Sequence, residues 1–204
     1  MALVQSSQME LSKLLVPTAV RVVGQFTSKK RLFQELGEIA AQAYGLTGAM
    51  AIDGLQERET LGPTGVGHGI ALPHARLEDL KDIVGVFLRL EKPLDYDSVD
   101  RQPVDLVFGL FAPKDSGVDH LKALALVSRT MRDSGVVTKL RANSDPAKIY
   151  AILTARLSRR PNPSRDRSRI PRSRGGRLRQ LRLRPDHHRS RQDQREMPKE
   201  PLPR

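Results

Sequence analysis

His74 is the residue whose surroundings speak most directly of chemistry. It lies in Ala71-Leu72-Pro73-His74-Ala75-Arg76, at the end of a run that reads LGPTGVGHGIALPHAR from Leu61. Gly62, Gly65, Gly67 and Gly69 make the approach backbone-permissive. Pro73 restricts the backbone beside the imidazole. An imidazole titrates near pH 6.5, so at neutral pH it holds a free lone pair and is a competent phosphoryl acceptor. Phosphoryl transfer asks little of a protein beyond alignment and stabilised oxygens. The N–H groups of a glycine-rich loop can supply part of that stabilisation.

The elements that would hold this histidine can be traced along the chain. Leu11, Leu14 and Leu15 suggest one helical turn stopped by Pro17, and Val20, Val22 and Val23 a short strand. Thr27 or Ser28 can cap a helix whose apolar face is Leu32, Phe33, Leu36, Ile39, Ala40 and Ala43, with Gly45 ending it. A second helix is expected from about Ala49 to Glu59, with Ile52 and Leu55 inward, closed by Gly62 and Pro63. The glycine-rich loop follows, entering a short strand at about Ile70 to Leu72. Ile83 to Leu90 and Val104 to Ala112 are nearly continuous apolar runs, as expected of strands covered on both faces. Asp119 is read as the N-cap of a helix over His120 to Arg132 that buries Leu121, Leu124, Ala125 and Met131. Asp145-Pro146 opens the last helix, with Ile149, Tyr150, Ile152 and Leu153 on its core face. Strands mixed with amphipathic helices indicate an α/β domain, with helices packed on a β-sheet.

Taken together, Arg58-Glu59, the glycine-rich run and Gly69-Ile70-Ala71-Leu72-Pro73-His74 resemble the enzyme IIA domains of the bacterial phosphotransferase system, of the fructose/mannitol type. The nearest likeness is to the nitrogen-regulatory branch, and it covers about residues 11–154. The resemblance implies a mixed β-sheet with helices on its faces. It implies that His74 takes a phosphoryl group from a phosphohistidine on an HPr-like carrier protein. The family's arginine, sixteen positions before this histidine, matches Arg58, whose guanidinium can pair with phosphate oxygens in two parallel hydrogen bonds. A second family histidine matches His120, expected in a first helical turn where partial positive charge keeps imidazole neutral and favours an anion. Where mannitol-type sugar domains carry an acidic residue, six positions before the active histidine, this chain has His68. That change of charge points away from ordinary service to a sugar permease. Three histidines, His68, His74 and His120, could in principle make a zinc site. The family uses none, and neither a metal nor a cofactor is expected.

Composition bounds the rest. The chain has no Cys, which excludes disulfides and thiolate metal sites. It shows no apolar leader and no run near the length that spans a bilayer, so a cytoplasmic protein is expected. The net charge of +12 is local: residues 155–204 hold sixteen Arg and one Lys against three Asp and two Glu, so residues 1–154 are neutral. With seven prolines and no aromatic residue, residues 155–204 are expected to form a disordered tail, because they cannot bury enough apolar area to offset ordering. Asp186-His187-His188 within it could bind metal only loosely. Residues 1–10 are expected to be an N-terminal extension and residues 11–154 the phosphoacceptor domain. The leading reading is a regulatory phosphocarrier that signals by phosphorylation-dependent protein contacts, with targets that the sequence does not name. The alternatives are a transport component passing phosphate to a separate IIB protein, and nucleic-acid binding through the tail. A basic patch outside the folding part makes nucleic acid the weaker partner. An Arg-, Pro- and Ser-rich tail is also what a GC-rich coding region yields when read out of frame.

Overall fold

The computed structural model describes residues 9–78 and 80–155. The first residues of the expected N-terminal extension and the Arg-rich segment from residue 156 onward lie outside the described residues, as do the readings made of them. The described chain opens with one helical turn, α1 (Leu11–Leu14), which buries both leucines before Pro17 begins a 3-10 turn. Strand β1 (Val20–Val23) follows. Helix α2 (Lys29–Tyr44) starts at Ser28, whose hydroxyl accepts a hydrogen bond from the Arg31 amide. It ends at Gly45, in the left-handed conformation that a Cβ would penalise. Helix α3 (Gly48–Thr60) buries Ala51 and Leu55 and carries Arg58 and Glu59 in its last turn.

The glycine-rich run holds more regular structure than expected. Gly65–Gly67 (β2) and Ile70–Ala71 (β3) pair antiparallel, and His74–Leu77 (β4) is a strand in its own right. The long strands β5 (Val84–Leu94) and β6 (Val104–Pro113) form the centre of the sheet and pair antiparallel. Facing Phe87 and Phe108 lie at its heart, with ring centroids 6.3 Å apart. The strand order is β1-β5-β6-β3-β2, with β4 also on β6. β1 runs parallel to β5, and both β3 and β4 run parallel to β6.

Proline chemistry explains why β3 and β4 are separate. Pro73 has no N–H to give the ladder. The Leu72 amide instead reaches the Thr64 carbonyl at 2.9 Å, and the Pro73 carbonyl accepts from Leu110 at 2.9 Å. Pairing resumes at His74, opposite Leu110. The imidazole is therefore the first side chain after a fixed interruption, not the frayed end of a strand.

Three further helices complete the domain: α4 (Gly117–Arg132), α5 (Ser134–Arg141) and α6 (Pro146–Thr154). α2 packs on β5, α3 on β4, α4 on β6 and α6 on β1. Two readings of this region are corrected. Asp119 is not the N-cap: a turn closed by the Ser116 amide on the Pro113 carbonyl runs straight into the helix, so α4 begins at Gly117. The inward face is shifted accordingly. His120, Ala123, Val127, Thr130 and Met131 are buried, whereas Leu121 and Ala125 are exposed. Helix α5 was not foreseen. The Asp133 carboxylate accepts from the Gly135 and Val136 amides and caps this short helix.

Candidate active site

Three side chains named from sequence meet in one cleft of about 680 Å³, bounded by the end of α3, by β4 and by the start of α4. His74 enters from the first position of β4, half-buried. Its Nδ1 lies 2.9 Å from the Leu72 carbonyl oxygen, which can only accept, so Nδ1 carries the ring proton. Arg58 donates from Nε to His74 Nε2 at 3.0 Å, so Nε2 presents its lone pair. The two contacts together settle the tautomer. Arg58 also donates from Nη1 to the Gly62 carbonyl at 3.0 Å, which ties the guanidinium to the turn after α3.

The close approach of α3 to β4 sets this geometry. Gly54 lies one turn before Arg58, and a Cβ there would stand 3.0 Å from the Ala75 Cβ and 3.3 Å from Leu77. The missing methyl lets the helix sit directly on the strand, which brings Arg58 over the neighbouring His74.

His120 faces the same cleft from the first turn of α4. Its ring centroid is 5.7 Å from that of His74. The side chain is only 3% exposed, and its Nδ1 is buried without a hydrogen-bond partner. An unpaired lone pair costs less than an unpaired N–H, which favours the tautomer with the proton on Nε2. Both imidazoles titrate below their ordinary value. For His74 burial is the main cause, opposed by the Leu72 carbonyl and assisted by the Arg58 charge. For His120 burial again leads, followed by the charge of Arg76 and then His74. Both rings are thus held neutral at neutral pH.

His68 is not part of this cleft. It sits between β2 and β3 with a φ of 56°. Its amide donates to Asp100 at 2.8 Å, and its carbonyl accepts from Arg141 at 2.7 Å. Arg141 also grips Asp105 with two 2.7 Å hydrogen bonds. Among the described residues, no group of three His, Asp or Glu side chains is placed to hold a metal ion.

Glu59, beside Arg58 in the motif, has a structural role that its position in the sequence does not reveal. Glu59 is not among the residues lining the cleft and instead braces the turn from α3 into β2. It accepts from the Thr64 hydroxyl at 2.5 Å and from the Thr64 amide at 3.2 Å, and pairs with Lys29 at 2.8 Å. The Thr64 hydroxyl lies 2.8 Å from the buried Tyr96 hydroxyl, and the Lys29 ammonium stands 4.5 Å over the Tyr96 ring. Lys29, Thr64 and Tyr96 carry no local signal, because they come from three distant segments. Glu59 stands out by its place beside Arg58, but its role does not.

Comparison with known proteins places these features in a family. The model described as phosphoenolpyruvate-dependent sugar phosphotransferase system, EIIA 2, matches residues 13–156. A nitrogen regulatory protein of Bradyrhizobium diazoefficiens is 45% identical over 145 residues, covering 71% of this chain and 95% of that protein. The crystal structure of nitrogen regulatory protein IIA-Ntr from Neisseria meningitidis superimposes with a TM-score of 0.66 at 32% identity, covering 71% of this chain and 99% of that one. The mannitol IIA of Escherichia coli shares the fold, with a TM-score of 0.55 at 20% identity, covering 65% of this chain and 95% of that one.

Proposed function

The chain belongs to the EIIA 2 family of the phosphoenolpyruvate-dependent sugar phosphotransferase system, and from that premise we propose that it is a regulatory phosphocarrier of the nitrogen-related branch. It accepts a phosphoryl group on His74 Nε2 from an HPr-like protein and signals by contacts that depend on its phosphorylation state. The observation that carries this reading is the fixed tautomer of His74. Its proton is held on Nδ1 by the Leu72 carbonyl, and its lone pair faces a guanidinium at 3.0 Å. That is the arrangement a phosphoryl acceptor needs: an aimed lone pair with cationic donors beside it.

In the transfer step a P–N bond forms at His74 Nε2 while the donor's P–N bond breaks. The bonding pair returns to the donor's nitrogen. The donor ring, protonated on its other nitrogen, leaves as neutral imidazole. His74 keeps its Nδ1 proton on the Leu72 carbonyl, which steadies the positive charge that the ring acquires. Arg58, freed from the lone pair, turns its donors to the phosphoryl oxygens. His120 adds one donor from Nε2. Signalling through protein contacts fits the chemistry, because phosphorylation adds charge and three acceptor oxygens to an exposed cleft. The names of the similar proteins support the nitrogen-regulatory assignment. Among the described residues no helix is long and apolar enough to cross a membrane.

The experiment is incubation with the phosphorylated HPr-like carrier, followed by intact-mass measurement. The expected result is an acid-labile gain of one phosphoryl group, absent in His74→Ala. A His74→Ala chain that gains it at the normal rate would overturn the reading.

A further inference from the structure

We propose that Arg76 is a further catalytic residue: its guanidinium binds the phosphoryl group at the mouth of the cleft as it passes to His74. The proposal rests on the reading of His74 as the acceptor.

Strand geometry places it there. Side chains alternate along β4, so Arg76 shares the face of His74, while Ala75 and Leu77 turn into the core. Arg76 lines the cleft together with Arg58, His74 and His120. Its charge reaches both rings and helps to keep them neutral.

Its partners, or their lack, set it apart. The other two cations of the cleft are engaged. Arg58 donates to His74 and to the Gly62 carbonyl, and Lys114 is paired with Glu78. Among the described residues, Arg76 makes neither a hydrogen bond nor an ion pair, although Glu57 and Glu78 line the same cleft. A guanidinium has five donors and no acceptor, and here it is aimed into a cleft with none of them committed.

The chemistry has a vacancy that it fits. A phosphoryl group in transit spreads its charge over three equatorial oxygens. Arg58 approaches from the α3 side and His120 from the α4 side. Arg76 projects from the strand between them and is exposed, so it stands where an incoming group arrives. It makes and breaks no covalent bond. The P–N exchange at His74 is unchanged, with Arg76 neutralising oxygens that stay on phosphorus throughout.

The test uses the full chain as Arg76→Gln and Arg76→Lys, with the phosphorylated HPr-like carrier as donor. Two quantities are read. One is the transfer rate at saturating and at limiting carrier. The other is the 31P titration of the phosphorylated chain, formed by long incubation with excess carrier. Arg76→Gln is expected to slow transfer at saturating carrier at least roughly tenfold, less than the roughly hundredfold or more seen when an enclosed donor is lost. It should also raise the second phosphoryl pKa by about one unit. Arg76→Lys should restore part of both. If the loss is confined to limiting carrier and the 31P titration is unmoved, Arg76 only docks the donor protein and the proposal is overturned. No change in either quantity overturns it equally. If the wild-type chain accepts no phosphoryl group, or His74→Ala accepts it normally, the acceptor reading fails first and takes this proposal with it. Those controls make the two failures distinguishable.

Discussion

Arg58 is held at both ends before any phosphate arrives, on His74 Nε2 and on the Gly62 carbonyl. The Gly62 contact keeps the guanidinium beside the ring, so its donors need only a short turn from the lone pair to the phosphoryl oxygens, where they stabilise transition-state charge. Arg58→Ala is expected to slow phosphoryl transfer by about 2.7–4 kcal/mol, roughly a hundred- to a thousandfold, with the fold intact. Stopped-flow transfer from the phosphorylated carrier, beside a thermal melt, checks both halves. An unchanged rate would reduce Arg58 to a surface charge. Acid acts on the same contact. Protonation of His74 removes the lone pair that Arg58 faces, so transfer should fall as pH drops, but only below the ordinary imidazole value of about 6.5. The sign for stability follows from the same lowered values. His74 and His120 resist protonation in the fold more than in the unfolded chain. Their stability contribution is intact above about pH 6.5 and declines as pH falls from there through their depressed folded values. An NMR titration of the two rings reads both effects. A His74 midpoint clearly above the ordinary value would contradict the account.

At the scale of elements, the turn from α3 into β2 is where the site is braced. Glu59 binds the Thr64 hydroxyl and amide and pairs with Lys29, and its side chain is 11% exposed. Glu59→Ala would strand these buried donors. The expected cost is about 1–3 kcal/mol, read as a fall in Tm of several degrees, accompanied by slower phosphoryl transfer. A variant with wild-type Tm would show that the clamp carries no weight. This network also marks the limit of what could be read from the chain. α2 is legible because Leu32, Phe33, Leu36, Ile39 and Ala40 repeat with the helical period and Ser28 and Gly45 bound it. β5 and β6 are legible as apolar runs. His74 and Arg58 stand out because they flank one unusual loop. The buried face of α4 is misread because Asp119 resembles a cap, while the real start is set by the hydrogen-bonded turn from Pro113 to Ser116. β4 is hidden because four residues beginning with His74 have too little period to show, and their partner β6 lies some thirty residues on. Long-range pairings such as Thr64 with Tyr96 leave no local pattern at all.

For the whole molecule, the charge map separates two parts of the chain. Residues 1–154 carry equal numbers of acidic and basic side chains, and the entire +12 falls in residues 155–204. The described hydrophobic core is assembled between Leu11 and Leu153. Truncation after Ala155 is therefore expected to leave both Tm and phosphorylation by the carrier unchanged. Differential scanning calorimetry and the intact-mass assay check this. A marked fall in Tm would show that the removed residues pack on the domain, and the expectation of a disordered tail would be given up. Salt-sensitive nucleic-acid binding by the full chain, lost on truncation, would instead give the Arg-rich segment a role of its own.

Tyr96 has a consequence for how the molecule can be watched. The chain has no Trp, and its three tyrosines, Tyr44, Tyr96 and Tyr150, all precede residue 155. Tyr96 is fully buried, edge-on to Phe33 at 6.3 Å and beneath the Lys29 ammonium. Burial pushes the Tyr44 phenol up to about 12 and raises that of Tyr96 further, so neither ring changes its absorbance through ionisation in any ordinary buffer. The protein thus carries a native chromophore at the far end of the Glu59–Thr64 clamp, and the Arg-rich segment is optically silent. Near-ultraviolet dichroism and tyrosine emission of the unlabelled, full-length chain therefore report on residues 1–154, through Tyr44, Tyr96 and Tyr150, and not on the Arg-rich segment.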